Sequence, residues 1–231
     1  MKKLISVVAI AIVCTTLCCK SFAQKPFAGT VKFETKYEGE TNPQLHIPTE
    51  QIQTIFENKM KTSLYNGLLR TIQDGDSLTI TYLFDIPGFG RIGNTSSREV
   101  NEENLLKSTF FYTERTDSKN ICKYECKGYD VTCIILNEDD DEDEAVEIKF
   151  IVYTTKAIGK DDNINAFSFP GLSGYPLYTE FEKDGVKTII QAKEVKKGKV
   201  KAVDFLIPSD YRMLSDEEWE FMMKQITGGN K

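Results

Sequence analysis

The chain is short of the residues from which most enzymes build their chemistry. It holds one histidine, His46, and one tryptophan, Trp219, in 231 residues. No serine occupies a Gly-x-Ser-x-Gly elbow, since Gly171-Leu172-Ser173-Gly174 brings its second glycine one position too early. No second histidine or base lies beside Cys133 to make a Cys–His nucleophile. Nothing in so acidic a chain selects a pair of carboxylates for glycoside chemistry. With every catalytic signature missing, the expectation is a protein that is not an enzyme and uses neither cofactor nor metal. There is also no basic patch, which argues against nucleic acid and anionic membrane surfaces as partners.

Long hydrophobic runs are equally scarce, and the one present lies at the N-terminus. Lys2 and Lys3 precede the apolar stretch Leu4 to Cys19, and Ser21-Phe22-Ala23 offers a small-x-small cleavage site. The stretch is too short, and too soon followed by Lys20, to span a bilayer. Residues 1–23 therefore read as a signal peptide, and 24–231 as a single exported domain. Lipidation of Cys18 or Cys19 is the minority alternative, because leucine sits beside the cysteine rather than three residues before it. Removing the signal takes three of the 29 basic residues and none of the 35 acidic ones, so the mature charge is −9. It also takes three of the six cysteines, leaving Cys122, Cys126 and Cys133. An odd number allows at most one internal disulfide. Cys122 and Cys126 on one strand lie ~13 Å apart, too far to bridge, whereas Cys133 is expected to reach either one across a Gly128-Tyr129-Asp130 turn. Which cysteines pair stays open.

Three motifs invite sharper readings and lack the context for them. Gly88-Phe89-Gly90-Arg91-Ile92-Gly93 matches G-x-G-x-x-G, but Asn94-Thr95-Ser96-Ser97-Arg98 follows where a helix must begin. The expectation is a flexible connecting loop over residues 85–104. The acidic run Glu138 to Glu144 has Glu144 and Phe150 where a calcium loop starting at Asp139 needs its glycine and bidentate glutamate. It reads as a solvated turn. Asn94-Thr95-Ser96 is a glycosylation sequon, irrelevant if the source is bacterial, as the signal suggests.

What the chain does have is alternation. Phe27, Gly29, Val31, Phe33, Thr35 and Tyr37 fall at period two, as do Leu78, Ile80, Tyr82 and Phe84. Further strands are expected over 60–65, 68–72, 105–116, two around Gly128 within 121–136, and 146–158. Phe167 to Phe181, with two prolines and two glycine turns before Leu177, Thr179 and Phe181 alternate, reads as the corner between two parts of the sheet. Residues 188–195 and 200–207 are expected as a last hairpin turning on Gly198. Thr49 is expected to cap a short helix through Ile52, Ile55 and Phe56, and Ser215 with Glu218 forms a capping box on a helix to Ile226. Consecutive strands joined by short turns require an antiparallel sheet. The fold class is α+β and mainly β: a strongly curved, unclosed antiparallel sheet with helices on its concave face.

Several of these segments carry a resemblance. Gly29-Thr30-Val31-Lys32-Phe33-Glu34, Gly128-Tyr129, Tyr153-Thr154, Phe169-Pro170-Gly171-Leu172-Ser173-Gly174-Tyr175-Pro176-Leu177 and Phe205-Leu206-Ile207-Pro208-Ser209-Asp210-Tyr211 resemble exported Bacteroidetes proteins of the GLPGLI group and a related domain family. These are in turn similar to the LolA/LolB lipoprotein-carrier superfamily. The signature here reads Pro-Gly-Leu-Ser-Gly-Tyr-Pro, not Gly-Leu-Pro-Gly-Leu-Ile. The resemblance implies a half-barrel filled by helices and a place in the periplasm or at the outer membrane. It transfers no functional residue. The expectation that follows is an apolar ligand, an acyl chain or the lipid of a lipoprotein, held between sheet and helices. The wall residues would be Phe33, Leu64, Ile80, Tyr82, Phe84, Phe150 and Val152, with the helices and loop 85–104 as the gate. Its rivals are an envelope protein with a packed core that binds a protein partner, and a hydrolase without a recognisable motif.

Overall fold

A computed structural model describes residues 26–39, 48–88, 90–97, 108–136 and 145–226. Its strands are β1 (Ala28–Glu38), β2 (Glu50–Phe56), β3 (Lys59–Leu64), β4 (Leu69–Asp74), β5 (Thr79–Ile86) and β6 (Gly90–Ser97). They continue as β7 (Ser108–Ile121), β8 (Tyr124–Leu136), β9 (Ala145–Thr155), β10 (Tyr175–Lys183), β11 (Val186–Lys197) and β12 (Arg212–Met213). Together they form one twelve-stranded sheet in the order β12-β6-β5-β4-β3-β2-β1-β11-β10-β9-β8-β7. Every pairing is antiparallel except the short β12 beside β6.

The curvature follows from connectivity. β6 and β7 lie ten strand spacings apart in that order, ~48 Å along a flat sheet at ~4.8 Å per strand. Only ten residues join Ser97 to Ser108, and such a length of chain reaches at most ~40 Å. A flat sheet cannot be joined this way, so the sheet bends and stays open.

Local chemistry decides the turns. Asp184 (φ 53°) and Gly185 (φ 74°) make a two-residue hairpin between β10 and β11, the left-handed pair that matches strand twist. Cys122 (φ 49°) and Lys123 (φ 72°) do the same between β7 and β8. The expected turn at Gly128 is therefore corrected: Gly128 lies inside β8, opposite Tyr153. Cys126 and Cys133 then sit on one extended strand, ~23 Å apart at ~3.3 Å per residue, and all three described cysteines are free thiols.

Other expectations are also corrected. Residues 50–56 are a strand, because pairing with both β1 and β3 outweighs the short helical stripe. The glycine-rich stretch expected to be a loop is the β5–β6 hairpin, with Gly90 to Ser97 paired along β5. The last hairpin is β10–β11, and residues 202–205 form a 3-10 turn. Among the described residues one α-helix remains, α1 (Asp216–Ile226). Its capping box is present: Glu218 N donates to Ser215 Oγ at 3.2 Å and Ser215 N to Glu218 Oε2 at 3.0 Å.

The core has three parts. The largest runs through Val31, Phe33, Ile55, Tyr153, Tyr175 and Leu177. A second joins Ile72 and Leu83 to Phe205 and Tyr211. The third packs Val131 and Val152 beneath Phe169 and Leu172. The acidic run Glu138 to Glu144, His46, Phe89 and the signal segment 1–23 all fall outside the described residues.

Candidate ligand-binding face

Strand register places the seven expected wall residues on a common face. One cross-strand row runs Phe33, Gln51, Leu64, Leu69, Phe84 and Ile92. The next runs Val31, Gln53, Thr62, Thr71, Tyr82 and Asn94, and a third Gly29, Ile55, Met60, Gln73, Ile80 and Ser96. In the other direction Thr35 faces Ile190, which faces Thr179, which faces Val152, while Phe181 faces Phe150. Side chains two apart on a strand share a face, so Phe150 and Val152 join the set.

The two faces differ in charge. No residue of the three rows carries a charge at neutral pH. The opposite face holds Lys32 paired to Glu50 at 3.0 Å, Lys59 to Asp74, Arg91 to Asp85 at 2.9 Å and Lys187 to Glu180 at 2.8 Å. Burial pushes the Glu180 carboxyl up, but hydrogen bonds from Lys187 and Tyr178 outweigh it and hold the group below its usual range. On that face Lys119 lies over the rings of Tyr153 and Tyr178, 4.2 and 4.0 Å from their centroids. Charge is therefore kept on the side that water can screen.

On the neutral face an apolar hollow of ≈ 380 Å³ opens between β1, β2, β7–β11 and the segment 156–174. Its walls include Phe33, Met60, Phe110, Phe150, Ile164, Phe169, Phe181 and Ile190. Phe110, Phe150, Phe181 and Ile190 are only half-buried. Phe169 meets both Phe110 and Phe150 edge-on, with centroids 6.4 and 5.6 Å apart. The volume falls within the about 300–1,000 Å³ of small-molecule sites. A second hollow of ≈ 520 Å³ lies nearby, but Asp130, Lys149, Glu180, Glu182 and Lys187 line it, so it offers a solvated ionic surface.

The segment 156–174 is a strap pinned across the hollow at several points. Asn58, 1% exposed, donates from Nδ2 to Asp161 Oδ1 and Asp76 Oδ1, both at 2.9 Å. Its Oδ1 accepts from Asp161 N at 3.3 Å. Farther along, Tyr112 donates to Pro170 O at 2.8 Å and Thr154 to Ser173 O at 2.7 Å. Asn165, also buried, donates to Leu172 O and Gly174 O. Gly75 lets the strap approach, since a Cβ there would lie 2.4 Å from Asn163 O.

The expected wall residues thus divide. Phe33 and Phe150 line the hollow. Val152 is fully buried beneath Phe169 and Leu172. Tyr82 and Phe84 lie under Trp219 of α1, with centroids 5.9 and 5.5 Å from its ring. Ile80 is buried and Leu64 half-buried, away from the hollow's edge. The described residues of 85–104 are mostly strand in the β5–β6 hairpin, and the segment over the hollow is the strap. Sequence reading missed Phe110, Phe181, Ile164 and Phe169 as walls. Alternation marked Phe110 and Phe181 as face residues, but nothing local placed a strap over them. Among the described residues no group of three or more His, Cys, Asp or Glu is arranged to hold a metal, and no helix is long and apolar enough to cross a membrane.

No protein-family model and no curated protein matches the sequence. Solved structures match by shape. PNGF-II in its P21 crystal form has a TM-score of 0.53 at 13% identity over 85% of this chain and 33% of that one. Its C2 form has 0.50 at 12% identity, over 84% and 32%. The chain therefore spans about a third of the length of PNGF-II. The lipoprotein LppX of Mycobacterium tuberculosis matches with a TM-score of 0.31 at 12% identity, over 75% and 89%. At these identities the PNGF-II likeness concerns the fold alone: a mostly β chain built on a long, curved, unclosed sheet.

Proposed function

We propose that this is an exported, non-catalytic protein of the cell envelope that holds the apolar part of a ligand, such as an acyl chain, on its neutral sheet face. A carrier of the LolA kind is the fold-level expectation this reading extends. The observation that carries it is the hollow beneath the strap, where Phe110, Phe150, Phe181 and Ile190 are left half-buried. Apolar surface removed from water there is worth ~25 cal/mol per Å², so an alkyl chain gains affinity from burial without any charged partner. The test is native mass spectrometry with lipid extraction on the protein from its own compartment. A copurifying acyl species, lost in Phe181→Asp while the fold survives, is the expected result; an apo mass with no uptake of added fatty acid sinks the reading.

A second reading rests on β7, the sheet's long edge. Its segment Ser108-Thr109-Phe110-Phe111-Tyr112-Thr113 carries no charge and no proline, two usual defences of an open edge. Phe111 is 56% exposed. Antiparallel pairing with a second copy centred on Phe111 would set Phe110 opposite Tyr112 twice, the aromatic pairs that favour strand association. The same mass spectra separate the readings, because this one predicts a dimer that Phe111→Lys dissolves.

A further inference from the structure

The central row of the neutral face is polar throughout its middle: Gln53, Thr62, Thr71, Tyr82 and Asn94 face one another across β2 to β6. The rows on either side contribute Gln51 and Gln73. The two ends of the central row are spoken for. Gln53 accepts from the Tyr175 hydroxyl, and Asn94 Nδ2 donates to Asp216 Oδ1 at 2.9 Å at the start of α1. Between them the groups are left over. Gln73 Oε1 is buried with no hydrogen-bond partner. Thr62 is 7% exposed, and the hydroxyls of Thr62, Thr71 and Tyr82 make no hydrogen bond among the described residues. Burial raises the Tyr82 phenol above its ordinary range, so its hydroxyl is neutral at physiological pH.

Packing alone would favour apolar side chains at the buried Thr62 and around the buried Gln73 Oε1, as at Ile55, Met60 and Ile80 beside them, while Thr71 and Tyr82 are half-buried. A site for a charged head would supply a counter-ion, and none of the three rows holds one; the carboxylate at the row's end, Asp216, is taken by Asn94. Hydroxyls and amides, neutral and able both to donate and to accept, are matched by a ligand of the same kind. The stretch from Gln53 to Tyr82 crosses three strand spacings, ~14 Å. It begins at the hollow, because Gln53 lines both. It ends against the aromatic pair of Tyr82 and Trp219.

We infer that the ligand is an amphiphile with a neutral, polyhydroxylated head, glycosyl or glyceryl, whose head lies on the Gln53–Thr62–Thr71–Tyr82 row while its alkyl chain fills the hollow. This rests on the reading of the hollow as an acyl site and adds the class of the head. Trp219 is the chain's single tryptophan and stands at the far end of the row, so its fluorescence reports on head binding.

The experiment uses the full mature chain and probes sharing a twelve-carbon tail, each below its micelle concentration: dodecyl maltoside, monododecanoylglycerol, dodecanoate and dodecylphosphocholine. Binding is followed by native mass spectrometry and by Trp219 emission. A neutral hydroxylated probe is expected to bind at least ten-fold tighter than the two charged ones and alone to shift Trp219 emission. The sugar and glycerol arms tell which head is preferred. Thr71→Val with Gln73→Met is expected to abolish that preference and leave dodecanoate binding unchanged. Equal or tighter binding of dodecanoate or dodecylphosphocholine to the wild-type chain overturns the head assignment and leaves the acyl site standing. Failure of all four probes overturns the acyl site and the head assignment together. The wild-type comparison decides the matter even if the double variant does not fold.

Discussion

Residue chemistry makes Cys122, Cys126 and Cys133 weak nucleophiles. Burial raises the thiol pKa of Cys122, Cys126 and Cys133 alike, and pushes that of Cys126 up to about 11. The thiolate is the reactive form, so each is a small apolar side chain at neutral pH. A chain of residues 24–231 is expected to release three titratable thiols when denatured and to react slowly when native. A single thiol under denaturing conditions would mean that a disulfide links two of them. The odd count was legible in the sequence; the absence of a bridge was not, because it depends on Gly128 continuing a strand that a glycine ordinarily interrupts. Gly128 is tolerated there because its neighbours are tight: a Cβ would stand 3.0 Å from the Tyr153 ring and 3.1 Å from Arg115.

At the scale of elements, the strap is the piece that turns a sheet face into an enclosed site. Its hold on the sheet is concentrated at Asn58, a buried amide answering two carboxylates and a backbone N–H. Removing it takes away three hydrogen bonds, two of them to carboxylates, a loss of about 1–3 kcal/mol. Asn58→Ala is therefore expected to speed amide exchange and proteolytic nicking within residues 156–174 ahead of the sheet. Unchanged exchange in the strap, with loss spread over the whole chain, would place Asn58 in the general core instead. The helix α1 was readable because a capping box and an apolar stripe are local signals. Residues 50–56 carry a helical stripe as well, yet they lie between β1 and β3, and two hydrogen-bonded ladders outweigh one and a half turns of helix.

The whole molecule's response to pH follows from its charged outer face. Asp74 is pushed up by burial, but Lys59 and the N–H groups of Ser77 and Asp76 hold it below its ordinary value. Hydrogen bonds from Tyr153 and Arg115 lower Asp117, and Glu180 is lowered as described. A carboxylate whose folded pKa is depressed adds stability above its unfolded value, about 3.9 for Asp and 4.3 for Glu, and loses it as pH falls through the folded value. Stability is expected to be level at neutral pH and to fall below pH ~4. Tyr112, Tyr175 and Tyr178 are raised by burial, so their unfolded forms ionise first and stability falls again above pH ~10. Denaturant midpoints measured across this range check both limbs; a midpoint still rising below pH 4 would contradict the carboxylate assignment.

The sequence by itself determined the alternating strands, such as β1 and β5, and their inward faces, but not β2, β6 or the last hairpin. Alternation is a two-residue signal, and Phe33, Ile80, Tyr82, Phe84, Phe150 and Val152 share a face because period two leaves no alternative once neighbours pair. Along β1 to β6 it also determined how little charge that face bears, since the lysines and carboxylates there fall on the opposite parity. Only the tertiary structure decided what covers that face. Phe169 and Ile164 come from a segment with no periodicity, and they reach Phe150 and Phe33 through contacts set by Asn58, Tyr112 and Thr154, far away in the chain. The polar row likewise appears only when five strands are in register, because each contributes one ordinary residue: Gln53, Thr62, Thr71, Tyr82 or Asn94. A row is a property of pairing, and pairing is non-local.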